Sequence, residues 1–126
     1  MTNSITITMP LPPKELWQNR TGHWIKKSKA TREYRSSAYL LGVSARLQRQ
    51  CWEMASAKLV FFWGDRRRRD VRNAEAAMKP AYDGLVDAGI IIDDDYKHLT
   101  HEATEFKFDK DNPRVEITVS EVKESL

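Results

Sequence analysis

The chain has 126 residues and one cysteine. A lone cysteine excludes an internal disulfide and with it the stapled secreted scaffolds, so a reducing compartment is the natural setting. Its five glycines are scattered, which leaves no glycine-rich loop to cradle the phosphates of a bound nucleotide, and no small-molecule cofactor is expected. Long apolar runs are missing as well. The longest uncharged one, Leu59 to Gly64, is far too short to span a bilayer, and the N-terminus lacks a basic-then-apolar signal pattern. The expectation is a cytoplasmic protein with no membrane association, forming one compact domain over 1–126 with a radius of gyration of about 14 Å.

Charge is close to balanced in total and unbalanced locally. There are 21 Lys plus Arg against 18 Asp plus Glu, a net +3, and the isoelectric point is near 9.1. The total says little about partners. The run Arg66-Arg67-Arg68-Arg69 says more, because four adjacent guanidiniums suit the phosphates of a polyanion. Against this stands the acidic triplet Asp93-Asp94-Asp95.

Periodicity supplies the elements. Ser4 to Met9 alternates isoleucine with threonine as a half-buried strand does, and Pro10 with Pro12-Pro13 stops it. Lys14 to Lys27 has no clear period and reads as a long loop carrying Trp17, Asn19, Arg20, His23 and Trp24. A long helix is expected from about Ser28, its N-cap, to Gln50, with Tyr34, Ala38, Leu41 and Ala45 facing inward. Leu59 to Trp63, short, apolar and rich in β-branched and aromatic residues, predicts a central strand buried on both faces. A second helical pattern buries Ala74, Ala77, Met78, Ala81, Tyr82, Leu85 and Ala88 and stops at Gly89. Pro80 inside it predicts a kink, or two short helices meeting near Lys79.

Ile90-Ile91-Ile92 is expected to be a short strand running into the acidic triplet. The tail from Lys97 to Glu121 reads as a hairpin, with Asp111-Asn112-Pro113 as its turn. Leu99 and Ala103 fall on one parity and Phe106 and Phe108 on the other, so a bulge is expected between them. The order β-α-β-α-β-β-β predicts an α+β (mixed α/β) fold, a single mixed sheet packed by two helices.

Two carboxylate clusters follow predicted strands. Asp70 comes after Leu59 to Trp63, and Asp93 to Asp95 come after Ile90 to Ile92. If these strands are neighbours, the clusters meet at one edge of the sheet, where ligand sites of α/β folds tend to lie. Asp93 and Asp95, sharing a face ~6.6 Å apart, repel by roughly 2.5 kcal/mol at an effective dielectric of 20, which solvent or a cation must relieve. A solvated acidic turn is the commoner use of such a triplet. The alternative is a magnesium ion, which takes few protein oxygens and keeps several waters.

Between the clusters, Arg72, Glu75, Lys79 and Asp83 recur at three- and four-residue steps. They form either a surface ladder of alternating charge or a set in which Lys79 supports a transition-state phosphate beside a metal. An arginine run ending at Asp70 brings a polyanion next to a carboxylate, a phosphodiester-cleaving layout. His98 and His101 fall on opposite faces of a strand, His23 is alone, and Cys51 has no adjacent base, so none of them is a strong candidate.

The strings Arg68-Arg69-Asp70-Val71-Arg72-Asn73, Lys79-Pro80-Ala81-Tyr82-Asp83-Gly84-Leu85 and Ala88-Gly89-Ile90-Ile91-Ile92-Asp93-Asp94 resemble the signature of the RusA family of crossover junction (Holliday junction) endodeoxyribonucleases. Pro10-Leu11-Pro12-Pro13 and Asn19-Arg20 are similar to that family's N-terminal pattern. The resemblance implies a homodimer that binds branched DNA at four-way junctions and hydrolyses phosphodiesters in recombination and repair, with magnesium, or manganese as a substitute. It implies catalytic, metal-binding roles for Asp70 and Asp94, with Glu75 and Asp93 as further candidate ligands, and an essential Lys79. Asn73 and Asp83 match supporting positions. Arg66, Arg67, Arg68, Arg69, Arg72 and Arg20 are the candidate DNA contacts.

One departure bears on activity. Where the family pattern has a second aspartate, this chain has Arg72. Either Glu75, three residues further on the same helical face, supplies the oxygen, or the chain binds branched DNA without cutting it. A general magnesium-dependent nuclease without junction preference is the third reading.

Overall fold

The computed structural model describes residues 3–17 and 24–123. Five strands form one sheet: β1 (Ser4–Met9), β2 (Ala55–Trp63), β3 (Leu99–His101), β4 (Glu105–Phe108) and β5 (Arg114–Glu121). Around it lie α1 (Trp24–Ala45), α2 (Val71–Ala76), α3 (Lys79–Asp87) and a single 3-10 turn at Lys14–Leu16. The expected mixed α+β architecture, a sheet packed by helices, is what forms. Asn19, Arg20 and His23 lie outside the described residues.

The strand order is β1-β5-β2-β3, with β4 also paired to β2. β1–β5 and β5–β2 are antiparallel, whereas β3 and β4 run parallel to β2. β2 is therefore central, as its apolar composition predicts, but it begins at Ala55 and is fully buried on one face only. Ala55, Ala57, Leu59, Phe61 and Trp63 are buried and the residues between them are half-buried. The reason is that the helices cover one side: Ile7 and Met9 of β1 and Val115, Ile117 and Val119 of β5 join the same core. The other face keeps polar neighbours such as Thr6 and Thr118, whose hydroxyls hydrogen-bond at 2.9 Å.

Two expectations about the C-terminal half are corrected. The tail is not a hairpin, because β4 and β5 lie on opposite sides of β2. A turn does form: Asp109 Oδ1 accepts the amides of Asp111 and Asn112, both at 3.2 Å, and the chain then crosses past the end of β2. Nor is Ile90–Ile92 a strand. It makes one parallel bridge, Ile91 to Trp52, with Trp52 N donating to Ile90 O at 3.0 Å and Ile92 N to Trp52 O at 3.1 Å. The bulge is present: Ala57 faces His101 while Val60 faces Glu105, a register slip of one residue.

α1 starts at Trp24, inside the segment read as a loop, and ends at Ala45. Its buried stripe is Ala30, Tyr34, Ala38 and Gly42, so Leu41 and Ala45 turn outward. Small residues are required there because α3 comes close. A Cβ on Gly84 would lie 2.4 Å from the Arg35 carbonyl oxygen and 2.8 Å from Ala38 Cβ. The second helical pattern divides as Pro80 predicts. α2 ends at Ala76 and α3 begins at Lys79, placing Pro80 in a first turn, where its missing N–H costs nothing. All seven of its expected inward residues are buried, and Gly89 adopts φ 73° at the stop. Among the described residues no helix is long and apolar enough to cross a membrane.

Candidate functional site

Breaking the helical pattern at Pro80 puts Lys79 at the start of α3, free to reach sideways. Its Nζ donates to Asp83 Oδ1 at 2.9 Å, one turn along, and to Asp94 Oδ2 at 2.6 Å. These hydrogen bonds, that to Asp94 foremost, hold the Lys79 ammonium above the usual lysine range. Asp94 is positioned by the Ile91–Trp52 bridge just before it. The acidic triplet divides its labour. Asp93 Oδ1 accepts the Asp94 amide at 2.7 Å, and Asp95 Oδ1 accepts those of Lys97 and His98 at 3.1 and 3.2 Å. The flanking aspartates thus build the turn that presents Asp94.

Asp94 and Lys79 open on a cleft of about 620 Å³ whose floor is apolar, from Ala57 and Leu59, and whose walls include Glu75, Tyr82, His101 and Thr104. Glu75 Oε2 accepts the Thr104 hydroxyl at 2.5 Å. Tyr82 packs edge-on against His101, with ring centroids 5.3 Å apart. Sequence reasoning places Glu75, Lys79 and Asp94 here. It misses Thr104 and His101, which arrive through the pairing of β3 with β2, and it counts Tyr82 as core. The only local signal for Tyr82 is its position between Lys79 and Asp83.

Asp70 sits elsewhere. It N-caps α2, its Oδ1 accepting from Arg72 N at 2.8 Å and Asn73 N at 3.3 Å. It borders a second cleft, of about 520 Å³, shared with Lys14, Trp17, Trp63 and Arg67 to Arg69. Asp70 and Asp94 thus line different clefts, although Glu75, on the helix that Asp70 caps, lines the Asp94 cleft. Ile91 pairs with Trp52, upstream of β2, whereas Asp70 follows the far end of that strand.

Among the described residues no three His, Cys, Asp or Glu side chains come together as a group able to hold a metal ion. Of the acids considered for magnesium, Glu75 and Asp94 share a cleft while Asp70 and Asp93 are engaged with backbone amides outside it. One oxygen of Asp94 is already occupied by an ammonium. Glu75 and Asp94 are the two acids of that set that share a cleft.

The arginine block is not a uniform cationic surface. Asp65 Oδ1 and Oδ2 accept from Arg69 Nη2 at 2.8 Å and Arg67 Nη2 at 3.1 Å, and Oδ1 also accepts the Arg67 amide at 3.0 Å. These donors, the backbone amide first, lower the Asp65 carboxyl to about 2. Arg69 also lies over the Trp63 ring at 4.1 Å, and Arg66 over Phe108 at 4.2 Å. Arg69 is a latch between the loop and the aromatic core. Arg68 is exposed and makes no ion pair among the described residues, and Arg72 is exposed on α2. Asp65, at two- and four-residue spacing from Arg67 and Arg69, is a signal the sequence carried.

No protein-family model matches the chain, and no curated protein matches it.

Proposed function

We propose that the chain is a structure-selective DNA endonuclease that hydrolyses phosphodiesters at four-way junctions, the activity implied by its resemblance to the RusA family. The observation that carries this reading is Lys79 Nζ held between Asp83 and Asp94 in a cleft that Glu75 also lines. Such a set offers a carboxylate to accept a proton from water and a fixed cation to stabilise charge developing on a phosphoryl group. The exposed guanidiniums of Arg67, Arg68 and Arg72 would contact the DNA backbone. A four-way junction nicked at paired sites calls for two such clefts, which a homodimer provides.

Magnesium, or manganese, belongs to the family resemblance. Glu75 and Asp94, which share a cleft, are the residues that would hold it, and it would supply a Lewis acid to the phosphodiester. A second reading, a branched-DNA-binding protein that does not cut, is favoured by two observations: Asp70 and Asp94 border different clefts, and Arg72 stands where the family pattern has an acid.

The test is a synthetic four-way junction incubated with purified protein, with magnesium, with manganese and with chelator. Paired symmetric nicks that disappear in Asp94→Asn are expected. Binding without nicks under every condition establishes the second reading instead, and equal rates on linear duplex and junction make the chain a general nuclease.

A further inference from the structure

Lys14, Trp17, Trp63, Arg67 and Arg68 line the second cleft. Its volume of about 520 Å³ falls within the ~300–1,000 Å³ of small-ligand pockets, the scale of one nucleotide rather than of a duplex. Its two indoles have different parts. Trp63 is 6% exposed, stacks on Phe61 with centroids 5.3 Å apart and planes within 5°, and carries the Arg69 guanidinium at 4.1 Å. Neighbours engage its ring, and it serves as the floor. Trp17 is half-buried and makes a single ring contact among the described residues, a tilted one on Trp63 at 6.0 Å. It is the indole with surface to offer.

The rim is cationic. Lys14 and Arg68 are exposed and make no ion pair among the described residues, and Arg67 is 82% exposed despite its Asp65 contact. Against them stands Asp70, whose Oδ1 already accepts two amides of α2. An aromatic platform beside guanidiniums matches a ligand that carries a π-face and a phosphate together, which is a nucleotide whose base has left its stack. A free phosphate or an acidic peptide would leave the indole unused. The cations run on to Arg66, which lies over Phe108 at 4.2 Å, so they follow a strand longer than one nucleotide.

We propose that this cleft takes one unstacked nucleotide of a DNA strand, its base on the Trp17 ring and its phosphate on Arg67 and Arg68. This rests on the DNA-binding part of the reading above and is independent of cleavage. A branch point, where stacking between arms is interrupted, yields such a nucleotide at lower cost than continuous duplex does. The cleft thereby gives the chain a means of selecting branched DNA.

Binding of the 126-residue chain is measured in chelator on a four-way junction with every base paired and on one with an unpaired thymidine at the branch point. The second is expected to bind about tenfold tighter, the gain from stacking one base on an aromatic ring. Trp17→Leu, with its Tm checked, is expected to bring the two affinities together. Equal affinities in the wild type, or a preference that survives in Trp17→Leu, overturn the proposal. Excess thymidine monophosphate is expected to leave the complex intact, and displacement overturns the proposal by assigning the cleft to free nucleotides. In the wild-type chain, 5-iododeoxyuridine at the unpaired position is expected to cross-link to Trp17 on irradiation. An adduct found only outside the cleft overturns the proposal whatever the stability of the variant. A chain that binds neither junction overturns the DNA reading itself, whereas one that binds with the expected preference and cuts neither upholds the cleft and overturns the nuclease reading alone.

Discussion

Lys79 and Asp94, fifteen residues apart in sequence, are joined by a 2.6 Å ion pair in which the Lys79 side chain is 61% exposed and that of Asp94 only 14%. The lysine caps a carboxylate that is otherwise turned into the protein. With one partner largely in solvent, the pair contributes about 1 kcal/mol or less to stability, so its value lies in where it holds two charges.

Lys79→Met should therefore cost little stability near neutral pH and about a hundredfold or more in cleavage rate. The sign of its pH dependence follows from the raised lysine value. Stabilisation is complete below the unfolded value of 10.5 and is lost as pH rises through the higher folded one. Unfolding midpoints of wild type and Lys79→Met should converge above that range, and a constant gap would show that the pair is not the source.

Asp65 governs the opposite limb. Its carboxyl, lowered from 3.8 to about 2, stabilises the fold above pH 3.8 and loses that contribution as pH falls through about 2. Asp65→Asn should lower the unfolding midpoint at pH 7 and leave it close to wild type at the acid end. Equal losses at both ends would refute the linkage.

The arginines should separate by role. Arg68→Ala is expected to weaken DNA binding and reduce the magnitude of the log-log salt slope by about 0.9, the value for one phosphate contact, with Tm unchanged. Arg67→Ala should lower the slope similarly, since that side chain is 82% exposed despite its Asp65 contact. Arg69→Ala should instead lower Tm, because its guanidinium, 19% exposed, ties Asp65 to the Trp63 ring. A salt slope lowered by Arg69→Ala with Tm intact would contradict the latch.

Asp70 can be divided between cap and chemistry. Asparagine is as good an N-cap as aspartate, whereas alanine costs about 1 kcal/mol. Asp70→Asn should keep the wild-type Tm and Asp70→Ala should lower it. A loss of cleavage in Asp70→Asn alone would give the carboxylate charge a role beyond capping, and wild-type cleavage would confine it to the helix end.

Local chemistry made several features legible. Alternation marks β1, a continuous apolar run marks the core of β2, Pro80 divides α2 from α3, Gly89 stops α3, and the parity change after Ala103 marks the bulge. Each depends on dihedral preferences and side-chain spacing over a few residues, so the sequence is sufficient. The same reasoning fails on α1, whose inward stripe contains Gly42 in place of Leu41. Ile90 and Ala88, which a Cβ on Gly42 would meet at 3.0 and 3.1 Å, favour a small residue there, and no periodicity of α1 encodes that.

The site divides along the same line. Residue types and spacing by themselves marked the arginine run and the acidic triplet and left Lys79 open between a charge ladder and a catalytic role; its grouping with Asp94 was what the family resemblance implied. Only the tertiary structure decided that Ile91 pairs with Trp52, that β2 separates β4 from β5, and that Asp70 and Asp94 consequently open on different clefts. It also brought Thr104 to Glu75 and Tyr82 to the wall of the Asp94 cleft. Strand partners are chosen by the whole core: each non-local pairing must offset the entropy of closing its loop by the surface it buries, and that balance is not written in any single stretch of chain.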